Sequence, residues 1–208
     1  RYSGKARRSQ MVSDEWVDKW PETKPDVHAD DHGWLQESNK YILKSLLDMN
    51  TKCVIELGSW LGKSTRFIAD CAPCATIYAI DHWLGSPEHQ GRPDVKDKLP
   101  TLYETFLVNL WEWKSQVKPL RMTTKQGLSL CYANNVDPDL IYVDAAHDYD
   151  GVMSDLTAVR SYFPMAKVVG DDWLWTSEGE HPVRNAVIEY CRKNNVIFHV
   201  CGNVWWLE

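Results

Sequence analysis

The chain has 208 residues, 44% hydrophobic and 25% charged, with a net charge of −6 at pH 7. That length builds one α/β domain with a full core and is short for two. The acidic balance argues against general binding to nucleic acid or to an anionic membrane.

The first ten residues carry Arg1, Lys5, Arg7 and Arg8 with no acid among them and read as a solvated, flexible arm. Residues 1–33 together are expected to form an N-terminal arm or lid segment, ahead of a single domain at 34–208. No apolar run reaches bilayer length and no signal-peptide pattern opens the chain, so a cytoplasmic, reducing location is expected. Because it starts at Arg1, the chain is also expected to be a domain of a longer polypeptide. Of six cysteines, only Cys71 and Cys74 have CxxC spacing. A second pair that would complete a structural zinc site is missing. His28 and His32 bracket Asp30 and Asp31 at i,i+4 spacing, but the segment reads as an acidic lid-forming loop before it reads as a metal site.

Leu35, Ile42, Leu46 and Leu47 recur at helical spacing and predict a helix over Trp34–Met49. From residue 52, short β-rich runs alternate with longer helical patterns. The strands are expected at Cys53–Leu57, Thr76–Ile80, Val117–Met122, Leu140–Asp144, Lys167–Gly170, Val196–Val200 and Val204–Leu207. Helices are expected near Gly62–Cys71, Leu99–Lys114, Gly127–Asn134, Tyr149–Tyr162 and Pro182–Lys193. Such alternation predicts a parallel sheet with crossover helices. The last two strand runs are separated only by Cys201-Gly202-Asn203, too short for a crossover, so they must pair as an antiparallel hairpin. The expected fold is a Rossmann-like, seven-stranded α/β sheet with helices on both faces.

The segment from Val54 to Thr65 is a strand, a turn bounded by Gly58 and Gly62, and a helix start. A dinucleotide site requires GxGxxG, whose middle glycine admits a pyrophosphate. Here Ser59-Trp60-Leu61 fills the interval, so phosphate cradling fits poorly. S-adenosylmethionine has no phosphate; it offers an amino group, a carboxylate and a ribose diol. Glu56 can accept from the amino group or support the turn, while Ser59, Ser64 and the helix-start N–H groups can meet the carboxylate. Asp81 closes the second strand, where it can accept both ribose hydroxyls. His82 and Trp83 directly after it, Gly127 and Ser129 in the helix after the third strand, and Asp144 are counted with the cofactor site.

Glu56–Thr65, Ile80-Asp81-His82-Trp83, Asp144–Val152 and Val169–Trp173 resemble four blocks of the class I S-adenosylmethionine-dependent methyltransferases. The closest resemblance is to the sugar O-methyltransferases of macrolide and aminocoumarin biosynthesis. The helix beginning Pro182-Val183-Arg184 resembles the one that follows the fifth strand there. The likeness covers about residues 52–193. Two departures touch the acceptor side: Ala146 stands where an acid is frequent, and the stretch Ser177–His181 is long.

In a parallel sheet the C-terminal strand ends share one rim beside the cofactor crevice. Asp144, Asp171 and Asp172 would crowd there and repel unless protons or a cation intervened. A hard divalent ion, Mg²⁺, would suit an all-oxygen set, and the resembling sugar enzymes place a divalent ion on acids at these positions. An ion-bound hydroxyl loses its proton more readily. The resemblance also implies a base at His147, with Asp148 the second candidate. An imidazole titrating near neutrality suits that task. Trp83, Trp173 and Trp175 follow strand ends and could stack on a sugar ring or simply pack loops.

The resulting expectation is a Mg²⁺-assisted O-methyltransferase acting on a sugar hydroxyl of a glycan or glycoside, a deoxyhexose such as rhamnose. Such a domain could belong to a larger glycan-building enzyme, as in large algal viruses. The alternatives are a catechol-type or phenolic O-methyltransferase, an NAD-binding oxidoreductase and a silent binding module.

Overall fold

The computed structural model describes residues 14–208; the basic cluster Arg1, Lys5, Arg7 and Arg8 lies outside the described residues. The strands are β1 (Cys53–Leu57), β2 (Thr76–Asp81), β3 (Val117–Arg121), β4 (Leu140–Val143), β5 (Lys167–Gly170), β6 (Phe198–Cys201) and β7 (Val204–Leu207). They form one sheet in the order β3-β2-β1-β4-β5-β7-β6. The first five strands run parallel, and β7 is antiparallel to both β5 and β6. This is the class I methyltransferase sheet expected above.

The helices are α1 (Glu37–Leu46), α2 (Lys63–Cys71), α3 (Pro87–Gln90), α4 (Pro93–Lys96), α5 (Leu102–Asn109), α6 (Thr124–Ala133), α7 (Tyr149–Tyr162) and α8 (Pro182–Asn194). Neighbouring strand residues point to opposite faces, and both faces are covered. Ile55, Leu57, Ile141 and Val168 pack with Leu128, Leu156 and Val187 of α6, α7 and α8. Val54, Ile77, Tyr142 and Val169 pack with Leu43, Ile68 and Phe106 of α1, α2 and α5. A sheet buried on both sides explains why its strands read as apolar runs and not as alternating ones. Among the described residues no helix is long and apolar enough to cross a membrane, and all six cysteines are free thiols.

Four expected elements differ by more than one residue. The helix read over Trp34–Met49 is shorter at both ends, because a capping box between Gln36 and Asn39 sets its start. The long helix read over Leu99–Lys114 is three pieces: a 3-10 turn at Leu99–Thr101, α5, and a second 3-10 turn at Trp111–Trp113. Strand β6 starts two residues later than expected. Asn195 takes a left-handed cap after α8, and the Val196 N–H still bonds back to Cys191. Finally, α6 begins at Thr124, where the Thr123 hydroxyl accepts from the Gln126 N–H.

Among the described residues before α1, Asp18 and Trp20 lie along the margin of the sheet. The Asp18 N–H donates to the Pro119 carbonyl at 3.1 Å. The Asp18 carboxylate accepts from the Arg121 N–H at 2.5 Å, and the Trp20 indole donates to Val117 at 2.9 Å. The open side of β3 is thereby covered. Pro119, which has no N–H to offer a neighbour, is tolerated at such a margin.

Candidate active site

In the register Leu57 lies opposite both Ile80 and Val143, and Val143 opposite Gly170. Gly58, Asp81, Asp144 and Asp171 are therefore delivered to one rim. A cavity of about 950 Å³ opens there.

The turn after β1 is held from beneath. Gly58 has φ +84°, and a Cβ at this position would come within 1.9 Å of the Asp144 carbonyl. Only glycine lets the turn lie this close to the end of β4. Glu56 is fully buried and accepts from the hydroxyls of Ser59 (2.7 Å) and Thr65. Burial pushes its carboxyl above the usual range. Glu56 thus supports the turn and does not line the cavity. Ser59, Trp60, Lys63 and Ser64 do line it. Gly62 caps α2 under the Leu110 side chain.

Asp81 accepts from the Trp60 N–H at 2.9 Å through Oδ2 and from the Trp83 N–H at 2.7 Å through Oδ1. It remains in the cavity wall with His82. Trp83 is buried: its indole donates to the Trp60 carbonyl at 2.7 Å, and its ring packs on Tyr103 and Phe106. Gly127 serves packing, since a Cβ there would meet the Ile80 side chain at 2.6 Å. Neither Gly127 nor Ser129 lines the cavity; Met122, Thr123 and Thr124 take that place.

The acids on the far side form a mixed cluster. Asp144, His147 and Asp172 offer ligand atoms that all lie within 4.8 Å of one another. His147 Nε2 stands 2.9 Å from Asp172 and 3.9 Å from Asp144. Its Nδ1 is 2.8 Å from Glu88, delivered by the short helix α3. Burial alone would lower the imidazole pKa, but hydrogen bonds to Asp144, Asp172 and Glu88 raise it to about 12. Removal from water drives Asp144 well above the carboxylate range. The acids around it thus favour the protonated form of His147. Asp148 caps α7, accepting from the Gly151 N–H at 2.9 Å.

The set expected to hold a metal was Asp144, Asp171 and Asp172. The structure groups Asp144 and Asp172 with His147, while Asp171, also in the cavity wall, is tied up by neighbouring side chains. Asp171 accepts from Asn203 Nδ2 at 2.8 Å and from the Asp172 N–H at 2.7 Å. Its other oxygen accepts from the Tyr142 hydroxyl, which in turn accepts from Asn39. Burial, then the Asp172 charge, raises its pKa to about 6. Asp172 itself sits in the left-handed region with φ +63°, a conformation that costs energy in a non-glycine residue and clusters at functional sites.

Of the tryptophans read as stacking surfaces, only Trp175 reaches the cavity, with its ring 5.1 Å from that of His147. Trp173 packs against Phe198. The sequence reading missed Trp34, Trp60 and His89, which form an aromatic wall with centroids 4.5 to 5.9 Å apart. His28 is exposed and His32 takes the Trp60 indole N–H at 3.3 Å, so the two histidines form no pair. Asp30 and Asp31 instead bind Lys98 and Arg66.

Residues 55–173 match the family model of the methyltransferase domain. The chain belongs to that family. No curated protein matches it. Among solved structures it is similar to the O-methyltransferase TomG of Streptomyces achromogenes, involved in tomaymycin synthesis and solved with S-adenosylmethionine. The TM-score is 0.61 at 15% identity, covering 84% of this chain and 80% of that one. An O-methyltransferase from Bacillus cereus, in complex with SAH, has a TM-score of 0.56 at 14% identity, covering 83% and 80%. A precorrin 8w decarboxylase from Methanobacterium thermoautotrophicum scores 0.56 at 14% identity, covering 85% and 90%. Neighbours with such different chemistries share the sheet, so the fold does not choose the acceptor.

Proposed function

We propose that this methyltransferase uses S-adenosylmethionine to methylate a hydroxyl of a sugar in a glycan or glycoside, with a divalent ion assisting. The observation that carries the reading is the Asp144–His147–Asp172 cluster in the same cavity as the Gly58 turn and Asp81. One end of that cavity suits a phosphate-free nucleoside and the other handles protons.

In the transfer, the acceptor oxygen attacks the sulfonium methyl carbon, the C–S bond breaks and the thioether leaves. The methyl is already activated, so the protein has to align the oxygen and take its proton. Neutral His147 receives that proton at Nε2. Its bonds to Glu88 and Asp172 then stabilise the imidazolium. Two carboxylates and an imidazole within reach of one point fit a divalent cation. Asp144 and Asp172 would hold Mg²⁺, and the ion would supply Lewis acidity that lowers the hydroxyl pKa. His147 as imidazolium and the cation are alternative counter-charges for the same two acids.

The test is a mass-spectrometric screen of deoxyhexosides and catechols with S-adenosylmethionine, with Mg²⁺ or with chelator. A mass gain of one methyl on a sugar, lost with chelator, is the expected result. Turnover of catechols alone would transfer the reading to the phenolic enzymes, and full turnover in chelator would remove the ion.

A further inference from the structure

Trp34 is a large apolar side chain left open on a stretch of backbone that is firmly held. Just before it, Asn109 Nδ2 donates to the Asp30 carbonyl at 2.8 Å, and Asn109 Oδ1 accepts from the Asp30 N–H at 3.2 Å. The Asp30 carboxylate pairs with Lys98, and Asp31 pairs with Arg66. Just after it, Gln36 and Asn39 close the capping box that starts α1. Between these two anchors, 46% of the Trp34 surface is exposed, and the residue lines the cavity. Its indole N–H has no hydrogen-bond partner among the described residues, whereas the indoles of Trp60 and Trp83 both donate. A lone exposed aromatic needs no explanation, but one fixed in a concave wall of aromatic rings marks a ligand face.

The place of that face relative to the transfer step follows from two consecutive residues of α3. Glu88 stands 2.8 Å from His147 Nδ1. His89, the next residue, lies nearly parallel to Trp34, with the ring planes 6° apart and the centroids at 5.9 Å. A ligand whose reacting hydroxyl lies at His147 can therefore extend along α3 and onto Trp34. Beside His147 there is already an aromatic ring, that of Trp175, 5.1 Å away. One sugar ring at the reacting centre is served by Trp175; a second aromatic wall, one helix residue further out, serves something attached to that sugar. Arg92, bound to Asp94, lies over the Trp34 ring at 5.2 Å, and His32 meets it edge-on. These neighbours fix the orientation of the indole and still leave it open to the cavity.

We propose that Trp34 forms an outer acceptor subsite, stacking on a ring linked to the sugar that is methylated. The substrate class is then a glycoside whose neighbouring unit is itself a ring, saccharide or aryl, and not a free monosaccharide. This rests on the sugar-methylating reading of the cavity and adds to it what the methylated sugar is attached to. Both the C–H face of a sugar and the face of an aryl group suit an indole.

The test compares KM for methyl rhamnoside, phenyl rhamnoside and methyl rhamnobioside, at saturating S-adenosylmethionine and Mg²⁺. In wild-type protein at least one of the two ring-bearing compounds should have a KM about 5- to 10-fold below that of methyl rhamnoside, the range of one stacked ring. Which of them does so distinguishes an aryl group from a second sugar. In Trp34→Ala that advantage should shrink to within about twofold, whereas Trp34→Phe, which keeps a flat face, should retain most of it. Should the alanine variant fold poorly, Trp34→Leu, which has bulk but no flat face, should lose the advantage in the same way. A merely structural role would shift all KM values together and leave their ratio unchanged. An undiminished ratio in the alanine or leucine variant, or a wild-type protein indifferent to the added ring, overturns the proposal. Wild-type protein that methylates none of the three glycosides would instead bring down the sugar reading on which the subsite stands.

Discussion

On the proposed function, His147 is one side chain committed to two tasks. Hydrogen bonds to Asp144, Asp172 and Glu88 favour its protonated form, yet the proposed base must start neutral. On the proposed function, a divalent cation held by the two aspartates would resolve the conflict by replacing the proton. His147→Ala should therefore lower turnover by about 10²- to 10⁴-fold in saturating Mg²⁺ while calorimetric affinity for S-adenosylhomocysteine changes little. Wild-type turnover in the variant would take His147 out of the reaction. Some of this cluster was legible in the sequence: Asp144 and Asp172 follow runs that announce strand ends, and the family resemblance pointed to His147. Glu88 was not, because it comes from a four-residue helix with no pattern of its own; the turn holding Asn203 was read, but its side-chain contact with Asp171 and Asp172 depends on tertiary packing.

At the scale of elements, the site depends on how closely the β1 turn lies against β4. Gly58→Ala would place a methyl into the Asp144 carbonyl at a positive φ that disfavours any side chain. We expect a loss of roughly 1–3 kcal/mol in stability from the strained backbone alone. Cofactor affinity should fall with it, because the turn and Asp144 must separate. Thermal unfolding and calorimetry check both, and an unchanged melting temperature would show that the turn yields freely. The sequence conveyed these elements unevenly, for physical reasons. Strands buried on both faces are apolar throughout, and α7 is bounded residue for residue by its Asp148 cap and the Phe163-Pro164 pair. Residues 84–98 escaped because α3 and α4 span only four residues each. Hydrophobic spacing needs a longer run than that to be visible.

For the molecule as a whole, acids withdrawn from water set the response to pH. Asp155 titrates near 6 in the fold against 3.8 as a free side chain, so folding takes up a proton between those values. The penalty is absent below 3.8, grows as pH rises and is complete above about 6, where it amounts to roughly 3 kcal/mol. Asp171 acts in the same direction. The melting temperature should accordingly be higher at pH 5 than at pH 7.5. Asp155→Asn should raise the value at pH 7.5 by several degrees and flatten the profile. A variant no more stable than wild type at pH 7.5 would mean that the carboxylate is not strained in the fold.

The segment through Asp18 and Trp20 also determines how copies of the chain can meet. It occupies the hydrogen-bonding groups along β3, whereas β6 has a single strand neighbour among the described residues. Ladder-type association therefore has one docking margin per copy. Two copies joined through it would each present a sealed flank, so the join ends as a closed two-fold pair and cannot propagate into a fibre.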